Sequence, residues 1–210
     1  MFDAGRFLSR RAKCALFVFV IMSAVAAAGC KYIIPVDTTP LDAAGVNYDS
    51  IQQLKALKIT TPEVAEIAKA KQGHLSDSGC VEVLKIFHSR GAEFNAGDAI
   101  TGLVQVGTSE DTILQLARLN QLGLGTGELQ AMRLAGLSDQ IVLAVAGHRA
   151  EGEPVLSGAS LAKLKNNGLR ESTLLELAQR GIPDSQAGAI IYFCRGGGND
   201  ADVLRRFTGS

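Results

Sequence analysis

ITGLVQVGTSEDTILQLARL, residues 100–119, decides the fold class. Ile100 and Leu103 stand three apart and Gly107 follows four later, so one apolar face is followed by a stop signal. Apolar residues three and four apart share a helix face. A glycine just past the last turn adopts the left-handed conformation that caps the orphan carbonyls. Thr108-Ser109-Glu110-Asp111 then supplies N-cap oxygens and acids for the next helix start. The stretch therefore reads as helix, tight turn, helix.

The same frame recurs along the chain. It appears as Leu84/Phe87/Gly91, Leu116/Leu119/Gly123, Leu129/Met132/Gly136, Leu161/Leu164/Gly168, Leu174/Leu177/Gly181 and Ile190/Phe193/Gly197. Ile51/Leu54 and Val64/Ile67 follow it with Lys58 and Lys71 at the glycine place. The residue after the glycine is often apolar (Leu124, Leu137, Leu169, Ile182), as the contact beside such a cap requires. Thr61-Pro62-Glu63 and Ser138-Asp139 are further start signals. Residues 100–119 align without gaps on 161–180 through Leu103/Leu164, Gly107/Gly168, Glu110/Glu171, Leu116/Leu177 and Ala117/Ala178, and 51–70 fit the same frame. No alternating run is long enough for a sheet. The expectation is an all-α array or bundle of short glycine-capped helices with a helical repeat. Helices this short need packing to persist.

Upstream of the helices, Arg6, Arg10, Arg11 and Lys13 precede an uncharged run from Cys14 to Ala28 that ends in Gly29-Cys30. The run is shorter than the roughly 20 residues a spanning helix needs. Basic, apolar and small segments in that order are the layout of a secretory signal peptide. Ala27-Ala28-Gly29-Cys30 resembles the bacterial lipobox, with Ala27 where that motif prefers Leu. The resemblance implies acylation of Cys30 and, with Lys31 after it, an outer-membrane destination facing the periplasm. Ala26-Ala27-Ala28 also fits an ordinary Ala-x-Ala cleavage site. Residues 31–46 hold two prolines and no helical period, so they read as an extended tether. The expected division is a signal peptide at 1–29, Cys30 with its tether at 30–46, and an all-α domain at 47–210.

From Lys31 onward the chain carries 17 basic and 20 acidic residues and no Trp. A weakly acidic, aromatic-poor domain is not expected to take nucleic acid as its partner. An extracytoplasmic setting would permit a Cys80–Cys194 disulfide. Both cysteines lie on apolar helical faces, so separate buried thiols are the expectation and the disulfide the alternative. His74, His88 and His148 are not at zinc-ligand spacing with each other or with a cysteine, and no HExxH, GxSxG or Walker pattern is present. No catalytic residue, metal or cofactor is expected.

Two turns carry a second resemblance. Gly123-Leu124-Gly125, and Gly181-Ile182-Pro183 with the helix after it, are similar to the helix-hairpin-helix motif. In that family backbone N–H groups at the hairpin hold a DNA phosphate, which marks Gly123, Gly125 and Gly181 as candidate phosphate-binding positions. Pro183 stands where the second hairpin glycine belongs and carries no N–H. Leu129 replaces the early alanine of the first motif. The expected function is a non-enzymatic cell-envelope lipoprotein whose helical domain binds an envelope protein partner, with an envelope-tethered nucleic-acid-binding module as the alternative.

Overall fold

The computed structural model describes residues 36–122 and 126–209. The signal segment, Cys30, Gly123 and Gly125 lie outside them. Among the described residues every regular element is helical. Val36–Ser210 is a compact unit by itself.

Twelve α-helices follow one another among the described residues: α1 (Thr39–Ala43), α2 (Tyr48–Ala56), α3 (Thr61–Gln72), α4 (Asp77–Ser89), α5 (Gly97–Gln105), α6 (Glu110–Arg118), α7 (Thr126–Leu134), α8 (Asp139–Glu151), α9 (Gly158–Asn166), α10 (Glu171–Gln179), α11 (Ala187–Arg195) and α12 (Asp200–Thr208). A 3-10 turn, Asp184–Gln186, precedes α11. The odd-numbered helices pack in succession into one layer and the even-numbered helices into a second. The chain thus forms six helix pairs, and one continuous apolar core runs between the layers, from Leu41 to Val203. The all-α class is as the periodicity required, and the arrangement is a stack rather than a closed bundle.

The turn from odd to even helix is always four residues long, as in Val106-Gly107-Thr108-Ser109, Ala135-Gly136-Leu137-Ser138 and Asn167-Gly168-Leu169-Arg170. Its second residue has positive φ: Gly45, His74, Gly107, Gly136, Gly168 and Gly197. Gly107 N donates to Val104 O at 2.9 Å and Thr108 N to Leu103 O at 3.0 Å. This Schellman pair uses the last free carbonyls and reverses the chain within one turn. The even helices end the same way, at Lys58, Gly91, Asn120, Gly152, Gly181 and Gly209.

Two frames slip relative to the sequence reading. In α6 the buried pair is Ile113/Leu116 and the cap is Asn120, so Leu116/Leu119/Gly123 is displaced by one turn. In α3, Lys71 is inside the helix and His74 caps it, behind Ile67 and Ala70. Each run contains two overlapping apolar frames, and Asn enters the left-handed region more readily than most side chains, though less readily than Gly. The array also begins earlier than expected, because Thr39–Ala43 is helical and buries Leu41 against α3. The N-cap of α3 is Thr60, one residue before the expected Thr61. Residues 51–70 pair an even helix with the next odd one and are out of phase with 100–119.

Adjacent pairs are tied by a repeated polar bond. From α4 onward, the first residue of each even helix is an acid that accepts the backbone N–H of the N-cap residue of the preceding even helix. Ser76 N donates to Glu110 at 2.9 Å, Ser109 N to Asp139 at 3.2 Å, Ser138 N to Glu171 at 2.9 Å and Arg170 N to Asp200 at 3.1 Å. Asn47 N donates to Asp77 at 3.3 Å. These bonds span 30, 34, 30, 33 and 30 residues, one more than the repeat period in each case, since the even helices begin 29, 33, 29, 32 and 29 residues apart. The 61-residue offset between 100–119 and 161–180 is therefore two repeats.

Close helix approach relies on small residues. An added Cβ at Gly97 would stand well inside contact with the Glu66 carbonyl oxygen, where α5 meets α3. At Gly147, inside α8, the same atom meets nothing. Gly97→Ala is therefore expected to cost about 2 kcal/mol through forced displacement of backbone. Gly147→Ala is expected to add about 0.5–1 kcal/mol of helix stability. Urea unfolding of the two variants checks the opposite signs.

Candidate functional site

A cleft of about 550 Å³ runs across the even layer, over α2, α4 and α6. Three helices meet there because α4 and α6 each reach back to the preceding even helix through their first acid, Asp77 and Glu110. Gly79 lies at the floor, where a Cβ would press on the Glu110 carboxylate, so glycine lets Glu110 reach Ser76. Ser76 Oγ donates to Glu110 Oε1 at 2.7 Å and accepts from Gly79 N at 2.9 Å. Gln53 and Lys85 stand exposed on the walls, with Leu114 half-buried beside them.

Most charges in this cleft have partners. Lys71 Nζ lies 2.7 Å from Asp77 Oδ1, and Asn47 donates to the same carboxylate through its side-chain amide. The Lys71 bond holds the Asp77 carboxyl below the usual carboxylate range, against the opposing effect of burial. Glu82 faces Arg118 at 3.4 Å and Lys85 at 3.9 Å. Half-exposed pairs of this kind contribute little to stability. They leave a polar, hydrogen-bonding trough edged with apolar carbon, suited to reversible contact with a complementary surface.

A second polar cluster was not read from the sequence. Glu63 is fully buried; its Oε1 accepts from Phe94 N at 2.9 Å and His88 Nε2 at 2.8 Å, and its Oε2 from Thr60 N at 2.9 Å. Burial pushes this carboxyl up, but the Phe94 and Thr60 amides, His88 and the Thr60 hydroxyl together pull it below its usual value. Four donors hold it as the structural anchor of the loop between α4 and α5. The Thr60-x-x-Glu63 capping spacing was the available signal. His88 and Phe94 are brought in only by the fold.

The remaining expected positions separate. Gly181 is the left-handed residue after α10; its N–H donates to Ala178 O at 3.1 Å and the next amide, Ile182 N, to Leu177 O at 3.2 Å. Both amides are thus engaged in the helix cap. Cys80 and Cys194 are free thiols, the separate thiols of two apolar faces rather than the Cys80–Cys194 disulfide that an extracytoplasmic setting would permit. Cys80 lies in the second pair and Cys194 in the sixth, and a stack brings together only neighbouring pairs. Burial pushes the Cys80 thiol up to about 12. Burial also raises the half-buried Cys194. Among the described residues no three of His, Cys, Asp and Glu are grouped to hold a metal ion.

The fold and cleft define a two-layer α-helical repeat array. No family model matches the chain, and no curated protein matches it.

His148 joins the fourth and fifth pairs: Nδ1 lies 2.6 Å from Glu153 Oε2 and Nε2 3.0 Å from Gln179 O. Two acceptors require both ring nitrogens to donate, and the Glu153 bond raises the His148 pKa. Its stabilising contribution is present below the ordinary value of 6.5 and lost as pH rises through the raised one. The lowered carboxyls of Glu63, Asp77, Asp139 and Asp184 act oppositely. Their contribution is present above the ordinary values of 3.8 and 4.5 and lost as pH falls through the depressed ones. Urea midpoints against pH are expected to show both limbs, with Asp139→Asn flattening the acid limb and His148→Gln the upper one. With a thiol reagent, Cys194 is expected to react in the native state and Cys80 at the rate of unfolding. Equal rates would contradict the burial of Cys80.

Proposed function

We propose that this protein is a non-enzymatic cell-envelope lipoprotein, held by an acylated Cys30, whose helical array binds a protein partner across the α2–α4–α6 cleft. The observation that carries the reading is the cleft itself, a polar trough spanning three consecutive repeats whose chemistry is hydrogen bonding rather than bond breaking. Extended surfaces made by stacked helix pairs are the usual binding faces of such arrays. The lipobox resemblance at Ala27–Cys30 supports the anchor. Acyl chains contribute about 0.8 kcal/mol per buried methylene, so several together hold a protein firmly on a bilayer.

Photo-reactive residues placed singly at Gln53 and Lys85 in the native envelope are expected to capture the same discrete partner. The exposed Lys163, in the odd layer, is expected to capture none. Uniform labelling from all three sites, or none from the cleft, would remove the binding reading. Cys30→Ala is expected to abolish palmitate incorporation; unchanged incorporation would leave a plain secretory signal.

A further inference from the structure

We propose that the C-terminal end of the array docks on an anionic phospholipid surface. The fifth and sixth pairs align without a gap, Gly158 on Ala187 and Glu171 on Asp200, so their side chains can be compared position by position. In the fifth pair Leu164, Leu169, Leu177 and Ala178 are buried. The sixth pair has Phe193, Gly198, Arg206 and Phe207 in their places, and the exposed Lys163 becomes Tyr192, which is 82% exposed. The apolar core therefore ends in an aromatic and guanidinium cluster that water reaches.

The cluster has a defined shape. Phe193 and Phe207 meet edge to face with centroids 6.2 Å apart, and the Arg206 guanidinium lies 5.0 Å and 5.9 Å from the two rings. Gly198 makes room for the Phe193 ring, which an added Cβ would strike. Tyr192, Phe193, Arg206 and Phe207 line a hollow of about 250 Å³. Rings with a polar tip or an attached cation suit the boundary between headgroups and acyl chains, where one side is apolar and the other wet.

Charge selects the partner. Arg206 is exposed beside the rings, the exposed Arg195 donates to Asn167 Oδ1 at 3.1 Å, and the Arg205 side chain, 3.8 Å from Asp202, is 74% exposed. The acids of α12, Asp200 and Asp202, occupy its first turn, while Arg205 and Arg206 occupy its last. Asp200 is turned to the preceding pair, accepting from Arg170 N and Thr173 Oγ1. The asymmetry extends through the chain: residues 36–157 hold nine Lys and Arg against fifteen Asp and Glu, and residues 158–210 hold seven against five. An anionic surface attracts this end and repels the other. The proposal rests on the envelope reading only in that a lipid-anchored chain has such a surface within reach.

The chain contains no Trp, so a single substitution makes a local reporter. In the full chain, Tyr192→Trp emission is expected to shift to the blue and be quenched by phosphatidylglycerol vesicles with brominated acyl chains. Phosphatidylcholine vesicles are expected to leave it unchanged. Tyr48→Trp, at a similarly open position in the first pair, is expected to respond to neither. Arg195→Gln with Arg205→Gln is expected to weaken vesicle affinity about 30-fold, at roughly one decade or less per charge. The response is expected to persist in Cys30→Ala, which separates it from the anchor. Unshifted emission from the Tyr192→Trp variant, or an equal response from the Tyr48→Trp variant, overturns the proposal. So does a shift that grows with protein concentration without vesicles, which would assign the surface to a second copy of the chain.

Discussion

The bond from a helix-opening carboxylate to the N-cap amide of the preceding repeat is the constraint on which the array depends. An N-cap residue has used its carbonyl to start its own helix, and its amide still needs an acceptor. Asp77, Glu110, Asp139, Glu171 and Asp200 each supply one from the next repeat. The same acids sit at helix N-termini, where the macrodipole favours negative charge. One side chain thus completes the hydrogen bonding of one helix, stabilises the start of another and sets the register between them.

Apolar packing alone would not set that register. Leucine faces can slide on one another at small cost, because burial is proportional to area and has no direction. The four-residue turns restrict the sliding further. Each fixes where the even helix starts relative to the odd one, through a left-handed residue followed in most repeats by a buried apolar one, such as Val46, Leu75, Leu137 or Leu169. The cleft over α2, α4 and α6 follows from this geometry. So does the C-terminal end, where Gly198 and Arg206 replace the residues that would have continued the core.

Much of this was legible in the chain. The glycine caps at Gly91, Gly107, Gly136, Gly168, Gly181 and Gly197 were readable because glycine alone adopts positive φ at no cost. Those at Lys58, His74 and Asn120 are harder, since side chains at these positions also suit a helix interior or a loop. Of these, only Lys58 stood in the readable frame. The acids at Glu110 and Asp139 read as dipole partners, which is correct but incomplete, because their second bond joins residues about one repeat apart. The Glu63 cluster was invisible beyond its capping spacing. Its donors at His88 and Phe94 arrive from another helix and a loop.

The sequence by itself determined the secondary structure, its stops and the all-α class, since these depend on contacts within a few residues. It also contained the repeat, but blurred by the uneven separations of 29 to 33 residues between equivalent acids. Only the tertiary structure decided that the helices form a stack rather than a closed bundle. That choice keeps Cys80 and Cys194 apart and leaves an aromatic end open. The reason is one of range: helix formation is settled by neighbours along the chain, whereas stacking is settled by single polar bonds between residues a whole repeat apart.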